Sequence, residues 1–252
     1  MIGAFKGNEG GVTLSHVEKL FHDPYLTGYK TSIEVSLVTA LVGGLLGFLI
    51  AYAAIREGTP RIVRTVLTTF SGVAANFAGI PLAFAFIATL GTIGILTQWL
   101  IQLGVNPYDH GFTVFGTTGV ELAYLYFQIP LMILVISPAI DGLRREWREA
   151  SANLGASQLQ FWRYVGVPVL MPSLLGAMVL LFGNSFSAYA TAYGLTGGSV
   201  NLIPITIGFF LSGNVLDDPH LGEAMAFGMF VVLALMMLVY IPLQRRSSRW
   251  VR

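Results

Sequence analysis

Long apolar runs alternate with short polar segments along this chain, and the alternation predicts its elements. Residues 1–30 are mixed and polar, with 12–21 patterned as a short amphipathic surface helix that Asp23 and Pro24 would end. Five apolar runs follow, at about 33–55, 67–100, 112–136, 169–192 and 224–241. The first is rich in alanine and in glycine (Gly43, Gly44, Gly47), as suits helices that pack closely in lipid. The second is longer than the ~20 residues a bilayer needs, and Pro81 with nearby glycines predicts a kink or break inside it. Segment 205–211 is apolar but too short to cross alone. The pattern is that of an all-α polytopic membrane bundle, a single domain over 1–252 with five visible spans.

The longest polar interruption is 141–167. Upstream, Leu143, Trp147, Ala150 and Leu154 recur on one helical face, with Arg144, Arg145, Arg148 and Glu149 mostly on the others. Gly155 supplies the left-handed backbone of a C-terminal cap. Ser157, with Gln160 three residues on, restarts the chain as a capping box. The second short helix carries Phe161, Trp162 and Val165 and is expected to stop at 166–168, where Pro168 breaks it. The result is an amphipathic helix–Gly–helix knob outside the apolar layer, suited to a groove on another protein.

Composition agrees with a membrane protein and removes several alternatives. Apolar residues make up 54% and charged residues 11%, and the mean hydropathy is +0.70. With no cysteine, no disulfide framework or thiolate metal site is available. A net charge of +1 carries no nucleic-acid footprint. All arginines lie in 56–64, 144–163 and 245–252, whereas 102–111 and 194–221 hold neither Lys nor Arg. By the positive-inside rule the three arginine segments, the 141–167 knob and the C-terminus are cytoplasmic, and 1–32 and 194–221 are external.

The stretch 149–168, EASANLGASQLQFWRYVGVP, resembles the EAA motif of permease subunits in binding-protein-dependent ABC importers, the MetI-like inner-membrane components. The family form is Glu-Ala-Ala, three residues, Gly, nine residues, then Ile-x-Leu-Pro. Glu149, Ala150, Gly155 and Pro168 hold their places, Ser151 replaces the last alanine, and Val165 and Val167 replace Ile and Leu. The resemblance implies the type I ABC importer permease fold, with 141–167 as cytoplasmic coupling helices. It also implies partners: ABC ATPase subunits that hold the ATP and Mg, a second permease (a paralogue or a second copy), and an extracytoplasmic solute-binding protein. The chain itself would bind no cofactor, and its own sequence has no Walker A pattern. On the matching positions, Glu149, Ala150, Ser151, Gly155, Ala156 and Pro168 are the expected ATPase-coupling residues. Family members usually have six spans with both ends inside, so five spans leave two readings: a first helix not included in this chain, or a five-span variant. The wording at 77–86 and 189–198 further resembles permeases of the spermidine/putrescine and aminoethylphosphonate group, with sulfate and iron importers nearby.

Polar side chains within the runs are the candidates for a solute path. Glu121 is a carboxylate well inside a run, with Tyr124 and Gln128 on its helical face. Asn184, Ser187 and Thr191 form a similar stripe on the fourth run, and Asn76 is polar within the second. A negative Glu121 would favour a cationic or amine-bearing solute such as a polyamine or aminoethylphosphonate; the same residues also fit a headgroup-level position or helix–helix packing. Segment 194–204 is a candidate surface for the solute-binding protein, and Phe84, Phe86, Tyr189 and Phe209 are contacts or core. An intramembrane enzyme lacks its constellation, since His16, His22, His110 and His220 fall outside the runs along with Asp217 and Asp218. A secondary transporter would be expected to show an internal repeat and a coupling-ion carboxylate. A permease for another solute (sugar, sulfate, iron) and a non-transporting scaffold remain as alternatives.

Overall fold

The computed structural model describes residues 2–5, 11, 13–55, 59–212 and 219–247. Of the residues used above, Arg56, Arg249 and Arg252 of the arginine segments and Asp217 and Asp218 lie outside the described residues. Most of the described residues are helical, and none of them is in a strand.

The spine is α2, Tyr25–Ile55, preceded by the short α1, Ser15–Lys19. The helix begins at Tyr25, earlier than the expected 33, because its polar first turns carry Lys30 and Glu34 as a continuous extension of the apolar run. Its buried stripe consists of small or hydroxyl residues, among them Ser32, Ser36, Thr39, Gly43, Gly44 and Gly47. The opposite face exposes Leu37, Leu41, Leu45 and Leu49. In lipid this inversion is stable, because large apolar side chains lose nothing by facing acyl chains while small ones let backbones approach.

Helix α6, Thr117–Asp141, lies parallel to α2, with Gly43 against Gln128 and Gly47 against Met132. The second pass is broken, as Pro81 and the glycines predict, into α3 (Arg61–Asn76), α4 (Ile80–Leu90) and α5 (Ile95–Gln102). Gly79 takes φ +79° at the first break. α3 runs antiparallel to α6, pinned at one end by an ion pair between Arg64 and Asp141 and further along by the Phe77–Tyr126 ring contact.

The knob holds α7 (Arg145–Asn153) and α8 (Gln158–Phe161). Here one expectation fails: the second helix does not stop at 166–168. A π-helical turn over Trp162–Gly166 carries α8 straight into α9, Val167–Phe186. The Val167 N–H reaches the Trp162 carbonyl across the widened turn. That extra residue in the ladder accommodates Pro168, which has no N–H to give. Gly166 is required there, since a Cβ would stand 2.6 Å from the Trp162 ring.

The fourth pass breaks again after Phe186. The described part of segment 194–221, expected as an external loop region, includes the end of α10 (Ala190–Thr196), a two-glycine turn at Gly197 and Gly198, and α11 (Ile203–Leu211). Leu195, Leu202, Ile203 and Ile205 are buried, so its described part is a helical hairpin packed into the bundle. α12, Pro219–Ser247, runs antiparallel to α9, placing Leu233 near Gly183 and Tyr240 near Gly176. The described parts of all three arginine segments therefore gather at one end of the bundle.

Candidate functional site

Two regions carry the candidate residues, the knob at the arginine end and a polar junction deeper in the bundle. In the knob the local code is obeyed. Gly155 adopts φ +75°. The Ala156 N–H donates to the Ser151 carbonyl at 3.0 Å and the Gly155 N–H to Ala152 at 2.9 Å, the paired bonds of a Schellman cap. Ser157 Oγ accepts from the Gln160 N–H at 3.3 Å while Gln160 Oε1 accepts from the Ser157 N–H at 2.7 Å, completing the capping box.

Glu149 is exposed and accepts from Arg145 Nε at 2.8 Å, one turn away. Ala150 is exposed beside it, and Ser151 Oγ is turned back onto the Arg148 carbonyl at 2.9 Å. The expected apolar stripe is divided: Leu143 and Trp147 are half-buried, whereas Leu154 is 87% exposed. Leu159, which sequence spacing did not single out, is 79% exposed on the other arm. Its signal was available, since it lies on the face of α8 opposite the buried Phe161. The tip thus presents a carboxylate, small residues and two bare leucines around a glycine hinge. Pro168 stands apart from that tip, in the first turn of α9.

The path candidates divide into two groups. Tyr124, Gln128 and Thr191 are buried and serve the bundle itself. Gln128 Nε2 donates to Thr39 Oγ1 at 3.0 Å, and Thr39 Oγ1 lies 3.0 Å from Ser185 Oγ, linking α6, α2 and α9. Tyr124 Oη donates to the Ala188 carbonyl at 2.6 Å, and Thr191 Oγ1 accepts from the Gly79 N–H at 2.7 Å. Those two backbone groups are freed by the helix breaks, and without water they need partners. The breaks abut each other, because a Cβ on Gly79 would lie 3.8 Å from the Ala190 Cβ.

Asn76, Asn184 and Ser187 are exposed, and Glu121 is half-buried. Asn76 bonds its own helix at Gly72, and Ser187 does likewise at Gly183. Asn76 and Ser187 each precede the Gly79–Ala190 contact by three residues and so flank the junction. Glu121 lies in the second turn of α6, about 6 Å along the axis from the helix start, at the end away from the arginines. Phe86 and Phe209 pack against the buried core, Phe86 edge-on to Tyr126 at 6.1 Å, whereas Phe84 is exposed. Among the described residues no cluster of His, Asp or Glu could hold a metal.

The described residues thus form a bundle with five helices long and apolar enough to cross a bilayer, two broken passes and an exposed polar elbow. The chain belongs to the binding-protein-dependent transport system inner membrane components, whose family model matches residues 43–252. It is 30% identical over 156 residues to the spermidine/putrescine transport system permease protein PotB of Escherichia coli, a match covering 60% of this chain and 54% of that protein. It is 27% identical over 151 residues to a probable sulfate transport system permease protein of Nephroselmis olivacea, covering 59% and 50%. The chain thus spans about half the length of the curated relatives it matches. In fold it is similar to a chain of a bacterial ABC transporter for the acidic polysaccharide alginate, with a TM-score of 0.73 at 17% identity over 97% of this chain and 86% of that one. A chain of the MetNI methionine ABC transporter is similar at a TM-score of 0.59 and 17% identity, covering 90% and 99%.

Proposed function

We propose that this chain is the permease subunit of an ATP-driven importer, forming half of a solute pathway beside a second permease, a paralogue or a second copy. The observation that carries the reading is the elbow, an ordered but outward-facing helix–Gly–helix held at the arginine end. Leu154 and Leu159 are left bare there beside Glu149, as a knob that another protein covers would be. An ATPase subunit grips this knob from the cytoplasmic side. Its closing rocks α7 and α8, and the π-turn passes that motion into α9, whose far end reaches the broken junction. ATP and Mg stay on the ATPase, and an extracytoplasmic binding protein delivers solute at the opposite end.

The solute is a small polar or amine-bearing molecule, with a polyamine favoured. Supporting this are the spermidine/putrescine transport for which the PotB relatives are named and a half-buried Glu121 near the outer end, with Asn76, Asn184 and Ser187 exposed elsewhere in the bundle. The sulfate relative supports another solute as the alternative.

The test is reconstitution of the chain with its ATPase and binding protein in vesicles, followed by ATP-dependent uptake of labelled spermidine, putrescine and sulfate. Polyamine uptake is expected, and Glu121→Gln should raise its half-saturation concentration about tenfold, equivalent to ~1.4 kcal/mol of lost attraction. Uptake of sulfate alone would replace the amine reading, and unchanged kinetics in Glu121→Gln would remove that residue from the path.

A further inference from the structure

A polar cavity of about 130 Å³ lies between the ends of α2 and α6 and the inner side of the elbow. Arg144, Arg145 and Arg148 line it, against one carboxylate, Asp141. Asp141 is already engaged by Arg64. Arg148 lies over the Phe161 ring at 5.7 Å, and Arg145 reaches Glu149 on the outer side. The lining therefore carries three guanidinium groups and one carboxylate, in a space several water molecules in size. Glu149, Ala150 and Leu154 do not line it, so the cavity and the exposed tip are separate surfaces.

Its depth is set by its neighbours. Tyr52 lines the cavity and meets the Trp162 ring edge-on at 4.8 Å, and Trp162 in turn packs on Phe161. Aromatic clusters of this kind mark the membrane–water boundary. Within a turn of Tyr52, Leu49 and Ile50 are exposed on α2, and Ile62, Val63 and Val66 are exposed near the start of α3. Those side chains fit acyl chains, and the arginines stand beyond them.

The geometry points to a binding site for the phosphate group of an anionic glycerophospholipid in the leaflet at the arginine end. Guanidinium forks match the several oxygens of a phosphate, which a single carboxylate cannot supply. The aliphatic surface beside the cavity accommodates the tails. Basic pockets between spanning helices at the cytoplasmic headgroup level have the chemistry for such lipids. A bound phosphate joins the inner side of the elbow to the ends of α2 and α6 and so stiffens the connection between knob and bundle. The inference rests on this cavity and not on which solute is carried.

The experiment is native mass spectrometry of the full chain in detergent micelles doped with phosphatidylglycerol or phosphatidylcholine. Phosphatidylglycerol should be retained about tenfold more. Arg144→Gln, at an exposed position, and the double variant Arg144→Gln/Arg148→Gln should bring retention down towards the phosphatidylcholine level. Unchanged helicity and phosphatidylcholine binding show that the variants are folded. Equal retention of the two lipids, or a double variant that holds phosphatidylglycerol like the parent, overturns the site. Retention in 10 mM inorganic phosphate supports the lipid as the source, and displacement by that phosphate overturns it.

Discussion

Gly155 has no side chain, and a Cβ built on it would meet nothing within 4 Å. Its importance is therefore in the backbone, since φ +75° is a conformation that β-branched residues adopt only at a cost of about 1–3 kcal/mol. Gly155→Val should leave membrane insertion intact but change the angle between α7 and α8, so that ATP hydrolysis in the assembled transporter continues while uptake falls by about tenfold or more. Gly155→Asn, which tolerates the left-handed region, should keep most uptake. The paired measurement is ATPase rate against solute flux in vesicles, and coupled transport in Gly155→Val would remove the hinge role. This residue, with Ser157 and Gln160, was legible in the sequence because caps are local: every bond closes within five positions. Pro168 was misread because proline ends a helix only in the α register. The π-turn that rescues it is packed by Trp162 on Tyr52, far away in sequence.

At the scale of elements, the five passes were legible from length and hydropathy, and the first break from Pro81 and its glycines. The roles of Tyr124, Gln128 and Thr191 were not, because a stripe on one helix says nothing of what it meets. Each finds its partner on a different element, at Ala188, Thr39 and Gly79. The α2–α6 contact shows what such non-local packing demands. A Cβ on Gly47 would lie 2.6 Å from Met132 Cβ and 2.7 Å from the Ile129 carbonyl oxygen, so the two backbones must separate for any larger residue. Gly47→Leu should cost about 1–3 kcal/mol through overpacking, read as a fall of roughly 5 °C in the thermal midpoint in detergent. Gly72→Ala is the control: its Cβ would meet nothing within 4 Å, and replacing a helical glycine by alanine should be neutral or slightly stabilising. Equal midpoints for Gly47→Leu and the parent would show that α2 and α6 are not held this closely.

The whole molecule turns on which end faces the cytoplasm. The structure gathers the described arginine segments at one end, but a bundle in isolation has no inside or outside; the assignment comes from the energetics of insertion. The chain has no cysteine, so single cysteines can report each end without background. Asn153 is exposed on the elbow and Ser199 is exposed in the turn between α10 and α11. With a membrane-impermeant maleimide on intact spheroplasts, Ser199→Cys should label at once and Asn153→Cys only after permeabilisation. Expression of the ATPase subunit should then slow labelling at Asn153 in permeabilised cells, because the knob that carries it becomes covered, and leave Ser199 unaffected. Labelling of Asn153→Cys in intact spheroplasts would place the elbow outside, where no ATP-driven partner could reach it. The importer reading would then fail even though the fold and the family stand.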